Sequence, residues 1–197
     1  EDRMLLKQQL GLNDSKVCCY MGNFSRYQGI DLLFNAFKIV QGKIHKAKLV
    51  IVGGYDDELI SVKEKARLSG LTGNVIFTGR KTPQESANLI QLADVLISPR
   101  IEGTNTPMKI YSYMASGVPI VATNLSTHTQ VLDEHSAVLV EPDPLNMAQG
   151  IIEILNDMDR GKNISKNAME IIEKRYSRKC YLEKLANAYN WIEKQIK

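Results

Sequence analysis

Two loops carry the residues whose types and spacing could do chemistry. The first, Glu102-Gly103-Thr104-Asn105-Thr106, lies between the apolar run Val95–Ser98 and an amphipathic stretch beginning at Pro107. A strand, a polar loop and a helix in that order aim the helix's unpaired N–H groups and positive end past the strand. An anion held there, such as a diphosphate, is stabilised by both. Thr106 is expected to cap this helix, with Pro107 at its first position. Lys109 falls in the first turn, where its charge opposes the helix dipole unless it meets a negative partner. The same pattern also fits a surface loop that merely caps a buried helix. The second loop runs from Gly22 through Asn23, Arg26 and Gln28 to Gly29, between a strand and a helix. Arg26 is placed to reach a phosphate, although glycines at both ends also serve as ordinary turn punctuation.

Several other chemistries are excluded. There is no GxxxxGK[ST] phosphate loop, no GxGxxG dinucleotide fingerprint and no GxSxG nucleophile elbow. His45, His128 and His135 lack metal-ligand spacing. Cys18, Cys19 and Cys180 are odd in number and without CxxC spacing, which argues against a disulfide scaffold or zinc finger and fits a reducing compartment. Cys18 and Cys19, adjacent in a strand, should point to opposite faces.

The elements that must position these loops follow from short β-branched runs alternating with helical periodicity. Strands are expected at Val17–Met21, Lys48–Val52, Asn74–Thr78, Val95–Ser98, Pro119–Ala122 and Ala137–Val140. Helices are expected at Ile30–Val40, Asp57–Ser69, from Thr82-Pro83, and at Pro107–Ser116, Leu145–Asp157, Ile164–Arg175 and Arg178–Lys197. Six strands joined by helices or helical turns imply an α/β class: a doubly wound parallel sheet of about six strands with a helical C-terminal tail. Residues 1–158 form the α/β core of a single Rossmann-like domain spanning 1–197, and 159–197 the C-terminal helices. Ligands of such a sheet sit beyond the carboxyl ends of its strands, the edge on which the Thr127-His128-Thr129 turn also falls.

Length and composition agree with that class. The 197 residues are 44% hydrophobic and 24% charged, with a net charge of +3, too apolar for disorder and long enough to bury a core unaided. No apolar run approaches a membrane span, and the first residue is Glu1, so the chain reads as a piece of a longer protein. From Arg160 to Lys197 there are ten basic against four acidic residues, leaving −3 for the rest. Nucleic-acid binders show a stronger basic excess interleaved with aromatics. The excess here fits a solvated helical face or a surface meeting phosphate or lipid headgroups.

In order along the chain, YMGNFSRYQGIDLLFNAF, KLVIVGGYDDE, NVIFTGRKTPQES, ADVLISPR, PMKIYSYMASGVPIVAT and VLVEPDPLNMAQGI resemble the carboxyl-terminal domain of family 4 (group 1) glycosyltransferases, which have a two-domain GT-B fold. RYSRKCYLEKLANAY looks like the helix that closes the family. The resemblance covers about residues 17–190. It implies a domain that binds a nucleotide-sugar donor, with the amino-terminal acceptor domain absent from this sequence, a retaining transfer to a glycan or lipid-linked acceptor, and no cofactor or bound metal. The family's G-R-L-x-x-x-K-G loop sets its Arg and Lys on the donor phosphates; here those positions are Asn23 and Gln28, both uncharged. Arg26, Arg100 or Lys109 could supply the missing cation. Glu102-Gly103 matches the Glu-Gly that touches the donor sugar, which makes Glu102 the candidate catalytic residue. The Gly103–Thr106 loop would hold the diphosphate. Aligning Met114-Ala115-Ser116-Gly117 with the family's M-A-x-G puts Ser112 where a second Glu grips the ribose, although the intervening segment is two residues longer than usual. A neutral hydroxyl there binds more weakly than a carboxylate. Arg80 and Lys81 fall where this fold places backbone contacts to the base. These departures leave open a non-catalytic interaction domain of the same fold, or a sugar-nucleotide epimerase. The expected setting is cytoplasmic, with peripheral membrane contact through the basic C-terminal helices.

Overall fold

The computed structural model describes residues 3–196; Glu1, Asp2 and Lys197, the last residue of the expected final helix, lie outside them. In chain order the elements are α1 (Arg3–Gln9), β1 (Lys16–Met21), α2 (Ile30–Lys43), β2 (Ala47–Val52), α3 (Asp56–Leu68), β3 (Val75–Gly79), α4 (Pro83–Leu92), β4 (Val95–Ser98), α5 (Met108–Ala115), β5 (Ile120–Thr123), α6 (Ser126–Thr129), β6 (Val138–Val140), α7 (Pro144–Asn156), α8 (Met158–Ile171) and α9 (Arg178–Ile196).

The six strands form one sheet in the order β3-β2-β1-β4-β5-β6, with every neighbouring pair parallel. Both faces are covered, so the strands read as near-continuous apolar runs rather than as strict alternation with polar residues. Cys18, Tyr20, Leu49, Ile51 and Ile97 pack with α2 and α7 on one face, while Val17, Cys19, Val50, Val52 and Leu96 pack with α4 and α5 on the other. The two cysteines are buried on opposite faces as their adjacency requires. α4 starts at Thr82-Pro83 as expected; Thr82 accepts from the Glu85 N–H, and Glu85 accepts from the Thr82 N–H to complete a capping box.

Three local expectations are corrected. Pro107, not Thr106, occupies the N-cap of α5, and no side chain caps that helix; the Thr106 hydroxyl donates instead to Gln130 Oε1 at 3.3 Å. α8 begins at Met158 rather than Ile164, because Gly161 is a packing residue that lets the helix approach Pro119, whose Cγ would stand 3.3 Å from an added Cβ. The helix expected to continue to Arg175 passes into a π-helical turn over Ile172–Tyr176. α8 buries Ile164 and Ala168 against the body, whereas most of α9 is exposed, Leu182, Tyr189, Trp191 and Ile192 included. No described helix is long and apolar enough to cross a membrane.

Candidate functional site

Strand order reverses between β1 and β4, and connections from these two strands leave in opposite directions, opening a crevice at their carboxyl ends. The crevice holds about 470 Å³ and is lined by Met21, Gly22, Asn23, Tyr27 and Gln28 from the β1 side, and by Arg100, Asn105, Pro107, Met108, Lys109 and Ser112 from the β4 side. A recess of about 330 Å³ shares Met21, Gly22 and Asn23 and reaches Tyr55, Glu58, Arg80 and Lys81. A third, of about 690 Å³, shares Met21, Arg80, Lys81 and Ser112. Met21 is common to all three.

The wall is fixed from behind. Met21 N–H donates to the buried Tyr113 hydroxyl at 2.8 Å, tying the end of β1 to α5. Tyr113→Phe strands that amide, and urea unfolding should register a loss of about 1–2 kcal/mol; an unchanged midpoint would mean that water replaces the hydroxyl.

Two cations meet in the crevice. The Lys109 ammonium donates to Gln28 Oε1 at 3.0 Å and stands 4.1 Å over the Tyr20 ring. Gly22 makes room for it: an added Cβ would lie 2.8 Å from the Tyr20 hydroxyl and 3.1 Å from Lys109 Nζ. Burial, with the Arg100 charge as a second cause, lowers Lys109 to about 7. Arg100 is itself buried. It donates to Asn105 O at 2.6 Å and Asn105 Oδ1 at 3.3 Å, and its guanidinium lies 4.9 Å over Tyr27. Its Nε has no hydrogen-bond partner among the described residues. Among the described residues neither Lys109 nor Arg100 forms an ion pair. A buried and a half-buried cation without a carboxylate make an environment in which an anion gains more than it would at the surface.

His128, on the ligand edge by sequence, is turned inward and fully buried. Its Nδ1 lies 2.8 Å from Thr123 O, which can only accept, so Nδ1 carries the proton and Nε2 accepts from Ser98 Oγ at 2.8 Å. Thr123 Oγ1 donates to Arg100 O at 2.6 Å. The group thus anchors the root of the Arg100–Thr106 loop rather than facing the crevice.

The sequence profile of the glycosyl transferases group 1 family matches residues 15–157. The chain belongs to this family. It is 26% identical over 186 residues to the capsular polysaccharide biosynthesis glycosyltransferase CapM of Staphylococcus aureus, covering 93% of this chain and 48% of that protein. The fold is shared with Anabaena Alr3699/HepE, solved in complex with UDP-glucose, at a TM-score of 0.84, 19% identity, 95% of this chain and 52% of that one. It is also shared with the C-terminal domain of a group 1 protein, LpcC, from Francisella tularensis, at a TM-score of 0.76, 18% identity, 90% of this chain and 94% of that one. The chain spans about half the length of the curated relatives it matches.

Of the residues that the group 1 resemblance singles out, Gly22, Asn23, Gln28, Asn105, Lys109 and Ser112 line the crevice together. Arg80 and Lys81 line the adjoining recess, where Arg80 lies 4.5 Å over the Tyr55 ring and Lys81 pairs with Glu85 at 3.4 Å. Arg26 is exposed and outside the crevice lining, as are Glu102, Gly103 and Thr104. Gly103 lies against Arg100, whose Nη2 would be 2.9 Å from an added Cβ, and Thr104 O accepts from Gln130 Nε2 at 3.1 Å. Tyr20, Tyr27 and Tyr113 were not singled out by motif. Their signal is weak but readable: tyrosines at a strand end, in the glycine-bounded loop and on the buried face of α5.

Proposed function

We propose that this chain is the donor-binding half of a retaining glycosyltransferase that moves a sugar from a nucleotide-sugar to a glycan or lipid-linked acceptor. One observation carries the reading: a crevice at the β1/β4 switch point holding two cations, Lys109 and Arg100, with no carboxylate among the described residues paired to either. The diphosphate takes that place, beside Asn23, Gln28 and the Gly103–Thr106 loop. Ser112 faces the ribose, and the base lies toward Arg80 and Lys81 in the connected recess. Glu102, exposed on the loop, reaches the sugar as it projects from the crevice. In the transfer, the bond between the anomeric carbon and the phosphate oxygen breaks and one to the acceptor oxygen forms on the same face of the sugar. The leaving diphosphate takes the bonding electron pair and its freed oxygen takes the proton that the acceptor hydroxyl gives up, and fixed cations at that spot lower the barrier more than mobile water could. Neutralisation by side chains would leave no need for a resident metal or other cofactor. The acceptor would be bound largely by a domain outside this sequence, in the cytoplasm and against a membrane face that the basic α8–α9 region approaches.

Ligand-observed NMR of this chain with UDP, GDP, ADP and their sugar nucleotides tests the reading. Saturable binding of one base, with the sugar's contribution lost in Glu102→Ala, is the expected result. No binding at millimolar concentration would overturn it in favour of a non-catalytic module.

A further inference from the structure

Lys109 sits where an ammonium is poorly supported. Its contacts are the neutral Gln28 amide oxygen at 3.0 Å and the face of Tyr20 at 4.1 Å, and no described ion pair involves it. The titratable and charged groups around it are Tyr20 and Tyr27 on the β1 side, Arg100 from the loop after β4, and buried neutral His128 from α6. Arg100 cannot relieve it, being a second positive charge already committed to Asn105 and Tyr27. A diphosphate entering the crevice would supply the counter-charge that the protein omits.

We propose that Lys109 is the cation that meets the donor's diphosphate and that it takes up one proton from solvent as the donor binds. This rests on the donor-binding reading above. Without donor, the proton is already held loosely, since Lys109 is lowered to about 7. A dianionic diphosphate beside the amine raises its proton affinity again, so at pH 8 binding drives the amine to ammonium, while at pH 6 the proton is already there. A sugar diphosphate has no proton of its own to lose over this range, so the uptake belongs to the protein. The Gln28–Lys109 contact adds a consequence: the two side-chain ends occupy neighbouring points, so a lysine at position 28 would bring its charge to the same place.

Isothermal titration calorimetry of the chain with UDP-glucose, GDP-mannose and ADP-glucose, in buffers of high and low ionisation enthalpy, reads the proton count directly. For the sugar nucleotide that binds, the expected uptake is close to one proton at pH 8 and close to none at pH 6. Affinity should fall roughly tenfold per pH unit above pH 7.5. Lys109→Met should abolish the uptake and weaken binding by at least tenfold at pH 6.5. Adding Gln28→Lys to that variant should recover most of the affinity, which a merely misfolded variant would not. Binding with a flat pH dependence and no proton exchange, or a double variant no better than the single one, overturns the assignment and leaves donor binding intact. Failure of every sugar nucleotide to bind at millimolar concentration overturns the donor reading and this inference with it.

Discussion

Between pH 7 and pH 4 the chain should lose about 3 kcal/mol of stability through one side chain, His128. Burial is the main cause that lowers its pKa to about 4, with Lys109 and Arg100 adding to the effect and the bond to Thr123 opposing it. The unfolded chain binds this proton near pH 6.5 and the folded chain only near 4. The stabilisation is therefore complete above pH 6.5, shrinks as pH falls through that window, and does not shrink further below 4. A protonated His128 would turn Nε2 into a second donor aimed at Ser98 Oγ, forcing that hydroxyl to give up its own donation at a site without water access. Glu64, Glu85, Asp143 and Glu170 are also held below their ordinary values by local hydrogen bonds and ion pairs, so they too lose stabilisation in acid. His128→Gln separates the two contributions, because its amide does not titrate. Urea unfolding at pH 7, 5.5 and 4 should show the wild-type chain losing about 3 kcal/mol more than the variant, mostly between pH 6 and 4.5. Parallel losses in the two proteins would show that His128 is protonated without penalty.

How far such features can be read in the sequence depends on whether their partners are near in the chain. The sheet was legible because each strand is a short apolar run bounded by turn residues. β4 falls on Val95–Ser98 as expected, and the other strands shift by about a residue, because backbone pairing rather than side-chain pattern sets where a ladder starts and stops. The α4 start at Thr82-Pro83 was legible for the same reason, since the cap and the first helical position are adjacent in the chain. α6, a single turn, has no periodicity to detect. Gly161 reads as a breaker because nothing nearby announces that Pro119 lies against it. The site divides in the same way. The glycine-bounded β1 loop and the Glu102–Thr106 loop announce themselves by composition. The contact that gives Lys109 its character is to Gln28, 81 residues earlier, and the clamp of Arg100 on Asn105 requires knowing that the guanidinium turns inward. A lysine in a first helical turn looked misplaced against the dipole; in three dimensions it answers a neutral amide and an aromatic face.

Gly29→Ala should be among the most damaging single-methyl changes in the molecule, costing about 3 kcal/mol or more. Gly29 closes the β1 loop in the left-handed region, at φ 74° and ψ 32°. An added Cβ would stand 1.8 Å from Pro99 O and 2.8 Å from Pro99 C, and 3.3 Å from Ile101 Cγ2. The first two are backbone atoms at the exit of β4, so no rotamer change can clear them. The same strands are held together there by the Ile101 N–H donating to Tyr27 O at 3.0 Å. The loop and the strand exit must therefore separate, carrying Gln28 away from Lys109 and opening the crevice at its narrow end. Gly70 supplies the control. Its φ of 75° matches, yet a Cβ added there meets nothing within 4 Å. Left-handed strain of about 1 kcal/mol and the gain from a stiffer unfolded chain apply equally to both sites. The difference between Gly29→Ala and Gly70→Ala in urea unfolding thus isolates the contact between the two loops, and about 2 kcal/mol or more is expected. Equal losses would mean that the β1 and β4 exits yield easily, and a site built on their close approach would then be too loose to hold a diphosphate in register.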